Sequence, residues 1–180
     1  MTLSRPLAAL AAALMLAGPA AADGRGERLA LPAISLIDQH GRVQNLRGPM
    51  TRGRVVVITF TFTTCESICP MGSAVMAELE DAAPLPDLRL LSITIDPAQD
   101  TPARMARAAE EFGAGEDWLW LTGAPADIDR LLEAVGATAG DITLHDPIFL
   151  VGDPDAGRFH RTLTLPDAAE LARLARSFRS

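Results

Sequence analysis

The chain contains no lysine, and among its 180 residues there are only two cysteines, three histidines and 4% aromatics. Two cysteines cannot make a disulfide-rich miniprotein. With 48% hydrophobic and 22% charged residues the chain is neither collagen-like nor disordered, and its length suits one ordinary globular domain. All 16 basic residues are therefore arginines, scattered from Arg5 to Arg179 without a cluster and outnumbered by 23 acids, for a formal net charge of −7. Nothing here resembles a footprint for nucleic acid. Such a surface discourages adhesion to anionic lipid and attracts cations only weakly and without selectivity, so charge alone names no partner.

Long apolar runs are scarce too. The first 22 residues, MTLSRPLAALAAALMLAGPAAA, place Arg5 ahead of an apolar stretch from Leu7 to Ala17, then Gly18-Pro19 and Ala20-Ala21-Ala22. This is the layout of a secretory signal peptide, with cleavage expected after Ala22. The stretch is about a dozen residues, short of the roughly 20 that a membrane-spanning helix needs. An uncleaved anchor is the competing reading. Residues 1–22 are thus expected to be a leader, and 23–180 one exported, soluble domain in the periplasm or its equivalent.

Beyond the leader, strand and helix patterns alternate. Ile34–Ile37 and Val43–Leu46 flank the turn-forming Asp38-Gln39-His40-Gly41, which predicts a hairpin with His40 as a solvated turn residue. Val55–Phe62 is a β-branched and aromatic run, a strand buried on both faces. Met71 to Ala82 sets Met71, Val75, Met76 and Leu79 on one helical face, where both methionines are expected as core. Leu88–Ile95 reads as a second buried strand, with Thr101 as N-cap and Pro102 as first residue of a helix running through Glu111 to a stop at Gly113. Trp118–Leu121 is a short strand, and Ile128, Leu131, Leu132 and Val135 mark a helix closed by Gly136. Ile148–Val151 and Arg158–Thr162 form a hairpin, and Pro166 starts a last helix with Leu171, Leu174, Ala175 and Phe178 on one side. This order predicts an α/β sandwich: a central mixed β-sheet flanked by helices, with an N-terminal hairpin extension. The thioredoxin-like arrangement is the economical choice.

Both cysteines fall in Thr64-Cys65-Glu66-Ser67-Ile68-Cys69-Pro70, between the buried strand and the first helix. An exported domain permits a structural disulfide there. A closed loop of about five residues, however, gains only about 2 kcal/mol by chain entropy, and a staple does more by joining distant segments. A functional pair is the better reading. Proline fits the first helical position, so Cys69 is expected at the N-cap and Cys65 on the loop before it. Unpaired amides and the helix dipole favour thiolate there, and thiolate is both nucleophile and metal ligand. Two soft thiolates suit Cu(I) or Zn(II) but leave the site incomplete. The candidates for a third ligand are His40, His145 and His160. His160 sits inside a strand, where a partly exposed packing role is expected. His145 lies in Leu144-His145-Asp146-Pro147, just ahead of the strand Ile148–Val151. In a thioredoxin-like sheet that loop lies beside the start of the first helix, so His145 is either the third ligand or an ordinary loop residue.

Three motifs in order carry a resemblance. Phe60-Thr61-Phe62-Thr63-Thr64-Cys65-xxx-Cys69-Pro70, then Ser92-Ile93-Thr94-Ile95-Asp96-Pro97-xx-Asp100-Thr101-Pro102, then His145 before a strand ending in Gly152-Asp153, together resemble the Sco/SenC family over roughly residues 30–178. The resemblance implies a thioredoxin-fold copper metallochaperone that helps assemble the binuclear copper site of cytochrome c oxidase, in a family some of whose members are proposed to act as thiol–disulfide reductants. It implies Cys65, Cys69 and His145 as ligands of one copper, Cu(I) or Cu(II), and a copper-receiving partner such as oxidase subunit II. An upstream copper donor or thiol reductant is implied as well. Asp96 matches a family acid near the site, although a residue ending a strand before Pro97 needs no such role. Two departures stand out: Glu66-Ser67 follows the first cysteine where many members carry Pro-Asp, and the N-terminal segment looks cleavable where many members keep an anchor.

The main rival is a periplasmic thiol–disulfide oxidoreductase in which Cys65 and Cys69 are the catalytic redox pair, reducing the cysteines of a cuproprotein. Thioredoxin-type enzymes usually space their cysteines by two residues after a Trp, whereas here the spacing is three and Thr64 precedes. A peroxiredoxin would need Pro and Thr where Ile58 and Phe62 stand. A purely structural or adhesive exported domain would leave the paired thiols at a helix start as coincidence.

Overall fold

A computed structural model describes residues 26–82, 85–137, 148–162 and 164–179. Its centre is β4 (Val55–Thr61), buried at every position. Alternate side chains feed two cores: Val56, Ile58 and Phe60 face one side, Val55 and Val57 the other. Parallel neighbours β5 (Leu88–Thr94) and β6 (Trp118–Gly123) extend the sheet one way, and the antiparallel hairpin β7 (Phe149–Asp153) and β8 (Arg158–Arg161) extends it the other. The hairpin of β2 (Ser35–Asp38) and β3 (Val43–Asn45) adds to the β6 edge, Leu36 opposite Gly123. Gln39 continues that ladder with its side chain, donating to the Trp118 carbonyl and accepting from the Trp120 amide. The two-residue β1 (Glu27–Arg28) pairs with β8, giving the order β1-β8-β7-β4-β5-β6-β2-β3.

Helices cover both faces. On one side α3 (Pro125–Ala134) packs Ile128, Leu131 and Leu132 against the sheet. On the other lie α1 (Ile68–Ala82), α2 (Pro102–Glu111) and α4 (Ala168–Ser177), burying Met76 and Leu79, Met105, and Leu171 and Leu174. Each fully buried side chain of this kind contributes roughly 1.5–3 kcal/mol. Thr101 caps α2 as expected, its hydroxyl accepting from the Arg104 amide at 3.4 Å. The α/β sandwich with a mixed sheet is the expected architecture.

Several boundaries differ from expectation. Helix α1 begins at Ile68, so Cys69 is its second residue and not its N-cap. Pro70 still lies in the first turn, where no intrahelical partner awaits an N–H, and so it disrupts nothing. Met71 is 52% exposed and is not core, because the helix turns its buried face through Gly72, Ser73, Met76 and Leu79. Helix α4 is capped by Asp167, which accepts from the Glu170 amide at 2.7 Å, so it starts two residues after Pro166. Among the described residues no helix is long and apolar enough to cross a membrane. The expected leader, 1–22, lies outside the described residues.

Candidate metal centre

The site forms where β4 ends. The chain leaves Thr61 and turns sharply, the Cys65 amide donating to the Phe62 carbonyl at 3.1 Å, with Thr63 and Thr64 at the corner. Thr63 is tied from outside: its amide donates to both carboxylate oxygens of Asp100 (3.1 and 3.2 Å), and its hydroxyl donates to Oδ1 at 2.5 Å. Asp100 is 1% exposed and accepts a third group, the hydroxyl of Thr94 at the end of β5, at 2.5 Å. The Thr94 oxygen in turn accepts from the Asp96 amide at 2.9 Å. A buried carboxylate is tolerated only when its oxygens are satisfied in this way.

Three residues past the turn, α1 begins. Its first amides have no intrahelical acceptor, and one of them, the N–H of Cys69, donates to the sulfur of Cys65 at 3.4 Å. The Ser67 hydroxyl stands 3.9 Å from the same sulfur. Partial burial pushes the Cys65 thiol up, but hydrogen bonds from the Cys69 side chain and from the Ser67 and Cys69 amides outweigh it and hold Cys65 below the ordinary thiol value. Cys69 goes the other way. Burial first, then its hydrogen bond to Cys65 and the charge there, push it up to about 12. Both thiols are free and partly exposed. They open onto a cleft of about 140 Å³ lined by Thr61, Thr63, Pro70, Phe112 and Trp120, whose last two rings stack at 5.9 Å.

Of the residues picked from sequence, the structure brings Cys65 and Cys69 together. Asp96 is partly buried, and its backbone organises the turn after β5, its carbonyl accepting from the Gln99 and Asp100 amides. The carboxylate that meets the cysteine loop is Asp100. His40 is exposed in the β2–β3 turn, and His160 sits on β8 opposite Val151, two strands out from β4. His145 lies outside the described residues. Among the described residues no three His, Cys, Asp or Glu side chains cluster as a complete metal site. Asp100 and Thr63 were missed by sequence reasoning as site residues. The available signal was an acid next to a Thr-Pro helix start, and its contact with Thr63, 37 positions away, is purely tertiary.

The family model described as SCO1/SenC matches residues 24–163. The chain belongs to the SCO1/SenC family. Among curated relatives, the mitochondrial SCO2 homolog of Bos taurus is 38% identical over 96 residues, covering 51% of this chain and 33% of the bovine one. The chain spans about half the length of the curated relatives it matches, or less. Among solved structures, BsSco, a member of the Sco family of cytochrome c oxidase assembly proteins in which a disulfide switch has been identified, superposes with a TM-score of 0.71 at 22% identity, over 85% of this chain and 95% of that one. Arabidopsis thaliana ScoI, solved with copper bound, gives a TM-score of 0.64 at 20% identity, covering 86% and 98%. The thioredoxin-like fold is thus that of the Sco proteins, and copper is bound by Sco relatives. In this SCO1/SenC member the paired thiols occupy the junction of the central strand and first helix.

Proposed function

We propose that this SCO1/SenC protein is an exported copper metallochaperone whose residues 1–22 are a cleaved leader and whose residues 23–180 form one copper-binding domain. Cys65, Cys69 and His145 hold one copper as cargo, destined for the binuclear site of cytochrome c oxidase on a subunit II-type recipient. The observation that carries the reading is the Cys69 amide on the Cys65 sulfur: one thiol of a close pair is held toward thiolate at a helix start, ready to take a soft cation. Cys69, near 12 without metal, loses its proton as the cation arrives, so loading releases a proton. The entry to β7 supports His145: Phe149 pairs with Thr59 near the end of β4, and only Asp146 and Pro147 separate His145 from Ile148, a reach of about 10 Å at most. Thiolates satisfy Cu(I) at low coordination number, whereas Cu(II) gains from the imidazole nitrogen. An incomplete shell leaves room for a recipient's ligand to enter before the donors leave.

The unequal thiols support a second reading, a thiol–disulfide reductase. There the Cys65 thiolate attacks a partner's disulfide, one partner sulfur leaves as thiol, and Cys69 then displaces the other as the Cys65–Cys69 bond closes. Titrating reduced protein with Cu(I) against a competing chelator tests the first reading. One tightly held copper per chain is expected, lost in Cys65→Ser and in Cys69→Ser. Failure of the reduced wild type to compete with the chelator overturns it in favour of the reductase.

A further inference from the structure

Among the described residues Asp100 is the one buried carboxylate that reaches the cysteine loop, and neither metal binding nor thiol exchange as described above uses it. Its own backbone is fixed, its amide donating to the Asp96 carbonyl at 2.9 Å just before the Thr101 cap of α2. Its side chain joins Thr94 at the end of β5 to Thr63 at the corner of the Phe62–Cys65 turn, just beyond the last ladder bond between the two strands, from the Ile95 amide to the Thr61 carbonyl at 2.9 Å. Three donors converge on two oxygens, with both the amide and the hydroxyl of Thr63 engaged. The turn that carries Cys65 is thereby held from the scaffold as well as by its own bond from the Cys65 amide to Phe62.

We propose that Asp100 is a positioning residue for the Cys65–Cys69 couple, holding the turn in the geometry from which the disulfide closes. The inference rests on the reading of the two cysteines as a functional pair. When the couple is oxidised, Cys65 and Cys69 together give up two protons and two electrons as the S–S bond forms, and a small-molecule disulfide such as oxidised glutathione takes them up to become two thiols. A turn already fixed at the closing geometry loses little freedom in that step, whereas a loosened turn must be ordered first and the effective concentration of one thiol at the other falls. Asp100→Asn replaces an acceptor oxygen with an amide donor facing the Thr63 or Thr94 donors. Thr63→Val keeps the shape and removes only the hydroxyl, and Thr63→Ser restores it.

The test is equilibration of the full chain with glutathione redox buffers, reading the oxidised fraction by thiol labelling and mass. Asp100→Asn should lower the stability of the Cys65–Cys69 disulfide about tenfold, a rise of about 30 mV for this two-electron couple. Thr63→Val should shift it less but with the same sign, and Thr63→Ser should return the wild-type value. Asp38→Asn, the same chemical change at a buried carboxylate satisfied within the β2–β3 turn, serves as the control and should leave the potential unchanged. Wild-type potentials in both Asp100→Asn and Thr63→Val overturn the proposal, as does an equal shift in Asp38→Asn. Absence of any reversible disulfide in the wild type overturns both this inference and the functional pair beneath it. A couple that titrates normally but ignores Asp100 removes the inference alone.

Discussion

The amide of Cys69 lies 3.4 Å from the sulfur of Cys65 and donates to it, so one residue of the pair stabilises the anion of the other while its own thiol, partly buried, is pushed the other way. Two chemically identical side chains, four positions apart, are thereby made unequal by a helix start. Reactivity follows thiolate fraction and access. With limiting iodoacetamide near neutral pH, the first label is expected on Cys65, and Cys69 should take up label only after denaturation. Peptide mass mapping checks this, and a first label on Cys69 or an even split would contradict the ordering.

The role of His145 separates the two oxidation states of copper. Soft sulfur alone serves Cu(I), whereas Cu(II) depends on nitrogen. His145→Ala should therefore weaken Cu(II) binding by at least the roughly 10–100-fold that loss of a ligand's supporting partner costs, with a smaller effect on Cu(I) and with thiol exchange by Cys65 and Cys69 largely intact. Chelator competition in each oxidation state, together with the Cu(II) spectrum, reads this directly. Unchanged affinity for both states would remove His145 from the ligand set and favour the reductase.

Much of the fold was legible because its signals are local. The β-branched and aromatic run of Val55–Thr61 reads as a strand covered on both faces, and Thr101-Pro102 is a helix start by its own chemistry. The paired cysteines stood out for the same reason, being close in sequence at a strand-to-helix junction. What was not legible depends on distant partners. Strand β1 has two residues, too few for any periodicity, and it exists because Glu27 and Arg28 meet β8, with Arg161 bonding Glu27 at 3.0 Å. Met71 fits the apolar spacing of α1 yet faces outward, since the buried face of that helix runs through Gly72, Ser73, Met76 and Leu79. Asp100 looks like any loop acid until β5 and the cysteine turn are side by side.

Close approach of backbones gives a stability prediction at Gly152, the fourth of the five residues of β7. A Cβ there would stand 2.2 Å from the Arg158 carbonyl oxygen and 2.6 Å from a ring carbon of Phe159, the residue paired with it on β8. No rotamer relieves a clash with a backbone oxygen. Gly152→Ala should destabilise the fold by roughly 1–3 kcal/mol or more, as overpacking does. Urea unfolding measures this, and a midpoint at the wild-type value would mean that the hairpin shifts freely.

Acid stability should report on Asp38. Its side chain is fully buried in the β2–β3 hairpin, where Oδ1 accepts the His40 and Arg42 amides and Oδ2 accepts Arg42 Nε and Gln44 Nε2 at 2.8–2.9 Å. Burial pushes this carboxyl up, yet the bonds from Arg42, Gln44 and His40 outweigh it and hold its pKa below 3.8. A carboxylate depressed by folding contributes stability that is fully present above its unfolded value and is lost as pH falls through its folded one. In Asp38→Asn the new amide faces Arg42 and Gln44 as donor against donor, at a cost of roughly 1–3 kcal/mol near neutral pH. That difference from wild type should hold down to about pH 5 and shrink as the pH falls past the ordinary carboxyl range. Urea midpoints measured from about pH 7 to about pH 2 decide it. A gap that stays constant across the whole range would mean that packing and not the charge of Asp38 secures the hairpin.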